Sequence, residues 1–213
     1  SAGPRHHMEG TARMNTLLWV VIAYVSGALP FSVWVGKLAL HTDIRGYGDR
    51  NPGAFNVFRA GGKLWGVIAI LLDGFKGAIP IWLAISWGEV SGWPLAVVAI
   101  APVLGHAYSP FLGFRGGKAL AVTFGIWCGL TLWFGPTVLG IALAIGLAIL
   151  VTPGWAVLLG MLVLLAALAL YQPDPLLLAV WAVNTALLLW KHRDDLRHPP
   201  RVQDSPVLRR LNK

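Results

Sequence analysis

The fold class predicted for this 213-residue sequence is an all-α polytopic membrane protein with seven transmembrane helices, the N-terminus outside and the C-terminus cytoplasmic. Three observations lead there. Hydrophobic residues make up 56% of the chain and charged residues 12%, about half the roughly 25% charge of a soluble domain. Apolar runs recur at or near the ~17–25 residues that a bilayer crossing takes. Lys and Arg fall on alternate connections between those runs. Together these exclude a soluble globular enzyme, a disordered chain and a disulfide scaffold, since one cysteine, Cys128, forms no internal bridge.

Taken in order, residues 1–13 read as an expression-tag remnant ahead of a natural start at Met14, so His6 and His7 carry no functional reading. The apolar runs, cut at charges and Pro/Gly clusters, are 17–36, 64–83, 94–105, 119–134, 136–151, 153–171 and 174–190. The third is short for a full crossing and borrows 108–114 or tilts. All Lys and Arg except Arg5, Arg13 and Lys76 lie in three stretches: 37–63, 106–118 and the tail after 190. The connections at 84–93, around 135 and at 171–174 hold none, and carry Glu89 and Asp174 instead. Seven helices place every basic stretch in the cytoplasm, as the positive-inside rule requires; six would export the basic tail. The net charge of +8 is thereby assigned to orientation and to anionic lipid headgroups. Nucleic acid is not expected as a partner, because no surface pattern interleaves aromatic and basic residues.

Orientation does not require glycine-rich sequence around the cations, yet two cytoplasmic segments have it. The first, 43–59, contains Arg45, Gly48, Asp49, Arg50, Asn51, Gly53, Asn56 and Arg59. The second, 105–118, contains His106, Ser109, Arg115, Gly116, Gly117 and Lys118. Glycines expose backbone N–H groups and permit positive φ, while Arg, Lys and amide side chains donate hydrogen bonds. That chemistry suits phosphate; ordinary cytoplasmic turns are the competing reading. A nucleotide P-loop is excluded, because 113–118 is one residue short of G-x-x-x-x-G-K and Ala119 stands where a hydroxyl is needed.

Within the spans, Asp73 and Lys76 are three apart on one helical face and can pair, either for function or to lock two helices. His106 closes the third span, and Lys191-His192-Arg193 closes the last. No metal is expected, since His41, His106, His192 and His198 lack ligand spacing. No Ser-His-acid nucleophile elbow is present either.

These segments, in this order, resemble the PlsY family, the bacterial acyl-phosphate:glycerol-3-phosphate acyltransferases. The family pattern S-x-P-x-x-x-x-x-x-K is similar to Ala28-Leu29-Pro30 with Lys37, the serine being replaced by alanine. G-S-G-N-x-G-A-x-N-x-x-R resembles Gly48 to Arg59, L-D-x-x-K-G is matched at Leu72 to Gly77, and G-H-x-x-S-x-F-L-x-F-x-G-G-K at Gly105 to Lys118. A terminal H-R-x-N-I is similar to His192-Arg193-Asp194-Asp195-Leu196. The resemblance spans 14–197 as one membrane acyltransferase domain, and leaves 198–213 as a basic cytoplasmic tail.

The resemblance implies seven helices in the bacterial cytoplasmic (inner) membrane and a cytoplasmic active site. It implies transfer of a fatty acyl group from acyl phosphate to the 1-hydroxyl of glycerol 3-phosphate, giving lysophosphatidic acid and inorganic phosphate without cofactor or metal. Arg59, Lys118 and His192 are then the expected catalytic residues. Gly48, Asp49, Arg50, Asn51, Gly53, Asn56, His106, Ser109, Gly116, Gly117 and Asp195 are expected to bind substrate, with Lys37, Asp73, Lys76, Arg115 and Arg193 supporting the site. The base is open between His192 and the glycerol phosphate itself. Three positions depart from the pattern: Asp49 for serine, Arg50 for glycine and Asp195 for asparagine. They raise the alternative of a different acyl acceptor. A transporter or flippase of a phosphorylated lipid or metabolite, and a scaffold that binds anionic lipid, are the readings from other classes.

Overall fold

The computed structural model describes residues 4–203. Residues 1–3 of the expected tag remnant and 204–213 of the expected tail lie outside the described residues. Ten α-helices run through the described residues: α1 (Pro4–Ala28), α2 (Phe31–Ala39), α3 (Ala54–Arg59), α4 (Lys63–Ser86), α5 (Trp93–Ala107), α6 (Leu120–Thr131), α7 (Phe134–Ile149), α8 (Pro153–Tyr171), α9 (Pro175–Lys191) and α10 (Arg193–Leu196). Four apolar segments are long enough to cross a membrane: 13–39, 63–86, 93–112 and 153–171. The helices α6, α7 and α9 are apolar but shorter.

Two expected elements differ. The run 17–36 is not one helix: it breaks at Leu29-Pro30, with Pro30 at φ −88° and ψ 58° before α2. Proline lacks an N–H and disfavours helical geometry in the residue before it, so an apolar run alone does not keep a helix continuous. The stretch 43–59 is not simply a turn either; it holds a 3-10 turn at Ile44–Gly46 and then α3.

The outer surface of the bundle is apolar, and small residues join the large buried side chains such as Trp127, Leu139 and Met161 between the helices. Large apolar side chains such as Leu17, Leu18, Val21, Leu64, Leu71, Ile141 and Leu162 face outward, and small ones such as Ala23, Ala69, Ala78, Ala84 and Ala99 are buried between helices. Helices in lipid gain nothing by hiding leucine, so close backbone approach decides their packing. A Cβ on Gly27 would meet the Pro102 backbone, and one on Gly105 would meet Tyr24 and Ala28, which is why α1 and α5 lie so close.

Candidate functional site

A cavity of about 350 Å³ opens at one end of the bundle, where 49–59, the start of α4, the end of α5, the start of α6, the end of α7, the start of α8 and His192 meet. Its wall is divided. Asp49, Asn51, Arg59, Lys118 and His192 form a polar end, Asp73 and His106 add polar groups from within α4 and the end of α5, and Ile70, Leu120, Phe124, Leu143, Leu147 and Val157 form an apolar sleeve.

The first loop is built around its charges. Gly48 takes φ +53°, and a Cβ there would collide with the Arg59 guanidinium and the Asn56 amide. The Asp49 Oδ1 accepts from the Asn51 N–H at 3.2 Å, a local turn typical of aspartate. It also accepts from the Asn56 Nδ2 at 3.1 Å. Arg59, one turn after Asn56 on α3, donates to the Asn56 Oδ1 at 3.1 Å and lies 3.7 Å from Asp49. Arg50 adopts φ +60°, a left-handed conformation that a non-glycine residue enters at a cost.

The second loop delivers Lys118. Gly113, at φ +60°, ends the 3-10 turn Pro110–Leu112, and the Gly117 N–H donates to the His106 carbonyl at 3.1 Å. A Cβ on Gly116 would fall on the His106 carbonyl, and one on Gly117 on the His106 ring. Lys118 then places its Nζ 3.0 Å from Asp49 and 3.2 Å from Asp195. Burial pushes the Asp49 carboxyl pKa up, but the Lys118 hydrogen bond and charge, with the Asn51 and Asn56 donors, outweigh it and hold the pKa below the ordinary value. Asp49 is therefore an anion at neutral pH.

His192 is 3% exposed. Its Nδ1 lies 2.8 Å from the Leu188 carbonyl, which can only accept, so Nδ1 carries the proton. Burial pushes its pKa below the ordinary histidine value. The neutral ring thus keeps Nε2 as a free proton acceptor.

Of the expected binding residues, Asp49, Asn51, Gly53 and His106 line the cavity beside Arg59, Lys118 and His192. Gly48, Asn56, Gly116, Gly117 and Asp195 stand behind that wall and shape it. Ser109 is engaged elsewhere, its hydroxyl donating to the Ala28 carbonyl at 2.6 Å. The Gly117 amide, expected to cradle a substrate oxygen, is committed to His106. Asp73, expected only as support, reaches the cavity wall while paired with Lys76 at 2.7 Å. Arg193 stacks on Trp190, with its guanidinium carbon 4.9 Å from the ring centroid. Neither Arg193 nor Arg50, Lys37 and Arg115 lines the cavity.

Lys191, named in the sequence only within the cluster that closes the last span, makes contacts that brace the site. Its Nζ donates to the Ala107 carbonyl at 2.9 Å and the Gly116 carbonyl at 3.1 Å, and lies 5.3 Å from the Tyr108 ring centroid. It fastens the second loop to the end of α9. A lysine in the last turn of a helix is common for dipole reasons alone, so its position carried no distinguishing signal. Asp49 and Asp195 are both engaged by Lys118 and Asp73 by Lys76, and no group of three or more metal-binding side chains occurs among the described residues.

The glycerol-3-phosphate acyltransferase family profile matches residues 17–199. A glycerol-3-phosphate acyltransferase of Desulfovibrio desulfuricans is 38% identical over 187 residues, covering 86% of this chain and 81% of its own length. One from Janthinobacterium sp. (strain Marseille) is 36% identical over 186 residues, covering 86% and 92%. Among solved structures, the glycerol 3-phosphate form of PlsY, an integral membrane glycerol 3-phosphate acyltransferase, superposes with a TM-score of 0.74 at 31% identity, covering 85% of this chain and 90% of that one. Its lysophosphatidic acid form superposes with a TM-score of 0.72 at 30% identity. With a family match over most of its length and an all-helical integral membrane fold in common, the chain belongs to the glycerol-3-phosphate acyltransferase family.

Proposed function

We propose that the cavity transfers a fatty acyl group from acyl phosphate to the 1-hydroxyl of glycerol 3-phosphate. The observation that carries the reading is one cavity lined both by Arg59, Lys118, Asn51 and His192 and by an apolar sleeve. Acyl phosphate has a part for each, and glycerol 3-phosphate needs only the first. The acyl chain lies along Leu120, Phe124, Leu143, Leu147 and Val157, while Arg59 and Lys118 neutralise the phosphates. Holding both reactants in one orientation supplies most of the catalysis, and fixed cations stabilise the charge that develops.

In the reaction, the glycerol hydroxyl oxygen forms a bond to the acyl carbonyl carbon, and the bond from that carbon to the phosphate oxygen breaks. Inorganic phosphate leaves, and lysophosphatidic acid is the product. The His192 Nε2 accepts the hydroxyl hydrogen bond, a role supported by its place on the cavity wall and by the commitment of Nδ1 to Leu188, and the proton ends on His192 or on the departing phosphate. Purified protein given acyl phosphate and glycerol 3-phosphate is expected to release phosphate and lysophosphatidic acid in equal amounts. Acyl-coenzyme A is expected not to substitute, because nothing in the cavity wall is suited to an adenine nucleotide; equal turnover with it would overturn the donor assignment.

In the bacterial cytoplasmic membrane the chain is read as spanning seven times, with membrane lipid around it, the N-terminus outside and the cavity on the cytoplasmic side. Four long and three shorter apolar helices support that count. The polar end of the cavity coincides with the basic loops, which the positive-inside rule retains in the cytoplasm. Single cysteines at positions 89 and 201, in a background with Cys128 replaced, are expected to react with an impermeant reagent from opposite sides. Labelling from one side would remove the seven-span topology.

A further inference from the structure

The Asp49 carboxylate sits in a donor set built for an anion. Its Oδ1 accepts from the Asn51 N–H and the Asn56 amide, with the Arg59 guanidinium 3.7 Å away. Its Oδ2 meets Lys118 at 3.0 Å. A backbone N–H, an amide and two cations converging on one group is the recognition chemistry of a phosphate oxygen cluster. Asp49 lines the same cavity as Lys118 and Arg59 and contacts both, so a phosphate held by those cations takes the place of this carboxylate.

We propose that Asp49 is a tethered competitor for the phosphate cradle, so that every anion entering the cavity must displace this carboxylate before Lys118 and Arg59 can hold it. The inference rests on the reading of this cavity as a site for phosphate-bearing substrates. The side chain is 41% exposed, so it can turn into water when displaced, and a half-exposed ion pair is cheap to break. Lys118 does not collapse when Asp49 leaves, because Asp195 still holds it at 3.2 Å. A ligand with a single carboxylate offers Lys118 and Arg59 no more than Asp49 already does. A phosphate offers three oxygens and up to two charges, and wins. The same competition acts on the product side: inorganic phosphate left in the site is opposed by a carboxylate that never diffuses away.

The test is calorimetric binding of inorganic phosphate, and of glycerate as a single-carboxylate probe, to the full-length protein in detergent. Asp49→Asn keeps an oxygen that accepts from the Asn51 N–H and removes only the charge. It is expected to bind both probes about fivefold tighter than the unaltered protein, with a matching fall in KM for glycerol 3-phosphate. Asp194→Asn removes a charge from the neighbouring position, which pairs with Arg197 and does not touch Lys118, and is expected to change phosphate affinity less than twofold. Unchanged or weaker phosphate binding in Asp49→Asn would overturn the proposal. An equal gain in Asp194→Asn would also overturn it, since the effect would then be net charge rather than occupancy. Should Asp49→Asn fail to fold, Asp49→Ser carries the same comparison. An unaltered protein that forms no lysophosphatidic acid, while the binding differences hold, would reject the acyltransferase reading and leave the competitor standing.

Discussion

Lys118→Ala loses at least tenfold in kcat/KM for glycerol 3-phosphate, and more than Arg59→Ala does. A hydrogen bond to a charged group contributes roughly 1.5–3 kcal/mol, which corresponds to about 10- to 150-fold in rate. Arg59 sits near the lower bound: it is half-exposed, 3.7 Å from Asp49, and its closer bond is to the Asn56 amide. Lys118 is only 24% exposed and is the cation between two carboxylates, at 3.0 and 3.2 Å. Deleting it removes the positive charge from the phosphate site and leaves Asp49 and Asp195 unneutralised beside an incoming anion. Asp49→Asn in the Lys118→Ala background is therefore expected to recover part of the loss. Steady-state kinetics with folding checked by size-exclusion chromatography decides the matter. Unchanged kinetics in both single variants would mean that this cavity is not the active site.

How far the sequence carried the fold depended on what bounded each apolar run. The run 153–171 coincides with α8, and 174–190 is one residue from α9, because proline opens both helices and polar residues follow them. The run 119–134 overshoots α6, and 136–151 is displaced two residues toward the C-terminus from α7. Their junction is Leu132-Trp133, with Leu132 at φ +53°, and an apolar turn between two apolar helices leaves no mark in hydropathy. The break at Leu29-Pro30 was visible as a proline, but lipid-facing helices tolerate proline often enough that a continuous span was the simpler expectation.

The site divides in the same way. Its cationic loops were legible because glycine, asparagine and basic residues cluster there without need. The apolar sleeve was not, because Leu143, Leu147 and Val157 differ in no respect from the lipid-facing residues around them. Asp49 and Asp195 read as two separate oddities, 146 positions apart in the chain; only folding brings both to the one lysine. In the folded protein both carboxylates are neutralised within one ion network centred on Lys118.

The buried pair Asp73–Lys76 is expected to give the largest loss of stability. The break at Pro30 leaves the Leu29 carbonyl in need of a donor, and the Lys76 Nζ supplies it at 2.7 Å. Lys76 in turn contacts Asp73 at 2.7 Å, and the other Asp73 oxygen accepts from the Ser32 hydroxyl at 2.5 Å. Both charged side chains are 2% exposed, so neither can find water if its partner is removed. Breaking a buried pair by deleting one member costs about 3–5 kcal/mol, because an uncompensated charge remains. Asp73→Ala and Lys76→Ala should each lower the unfolding temperature by roughly 6–20 °C, taking 2–4 °C per kcal/mol for a chain of this size. The double variant Asp73→Leu with Lys76→Met should recover much of that loss, since no isolated charge is left. Recovery should stay incomplete, because the Ser32 hydroxyl and the Leu29 carbonyl still lack their partners. Thermal unfolding of the three variants in one detergent separates these contributions. If the singles melt within a degree or two of the unaltered protein, the pair is not what joins α4 to the broken first span. If the double melts as low as the singles, the hydrogen bonds to Leu29 and Ser32, and not the charges, hold this junction together.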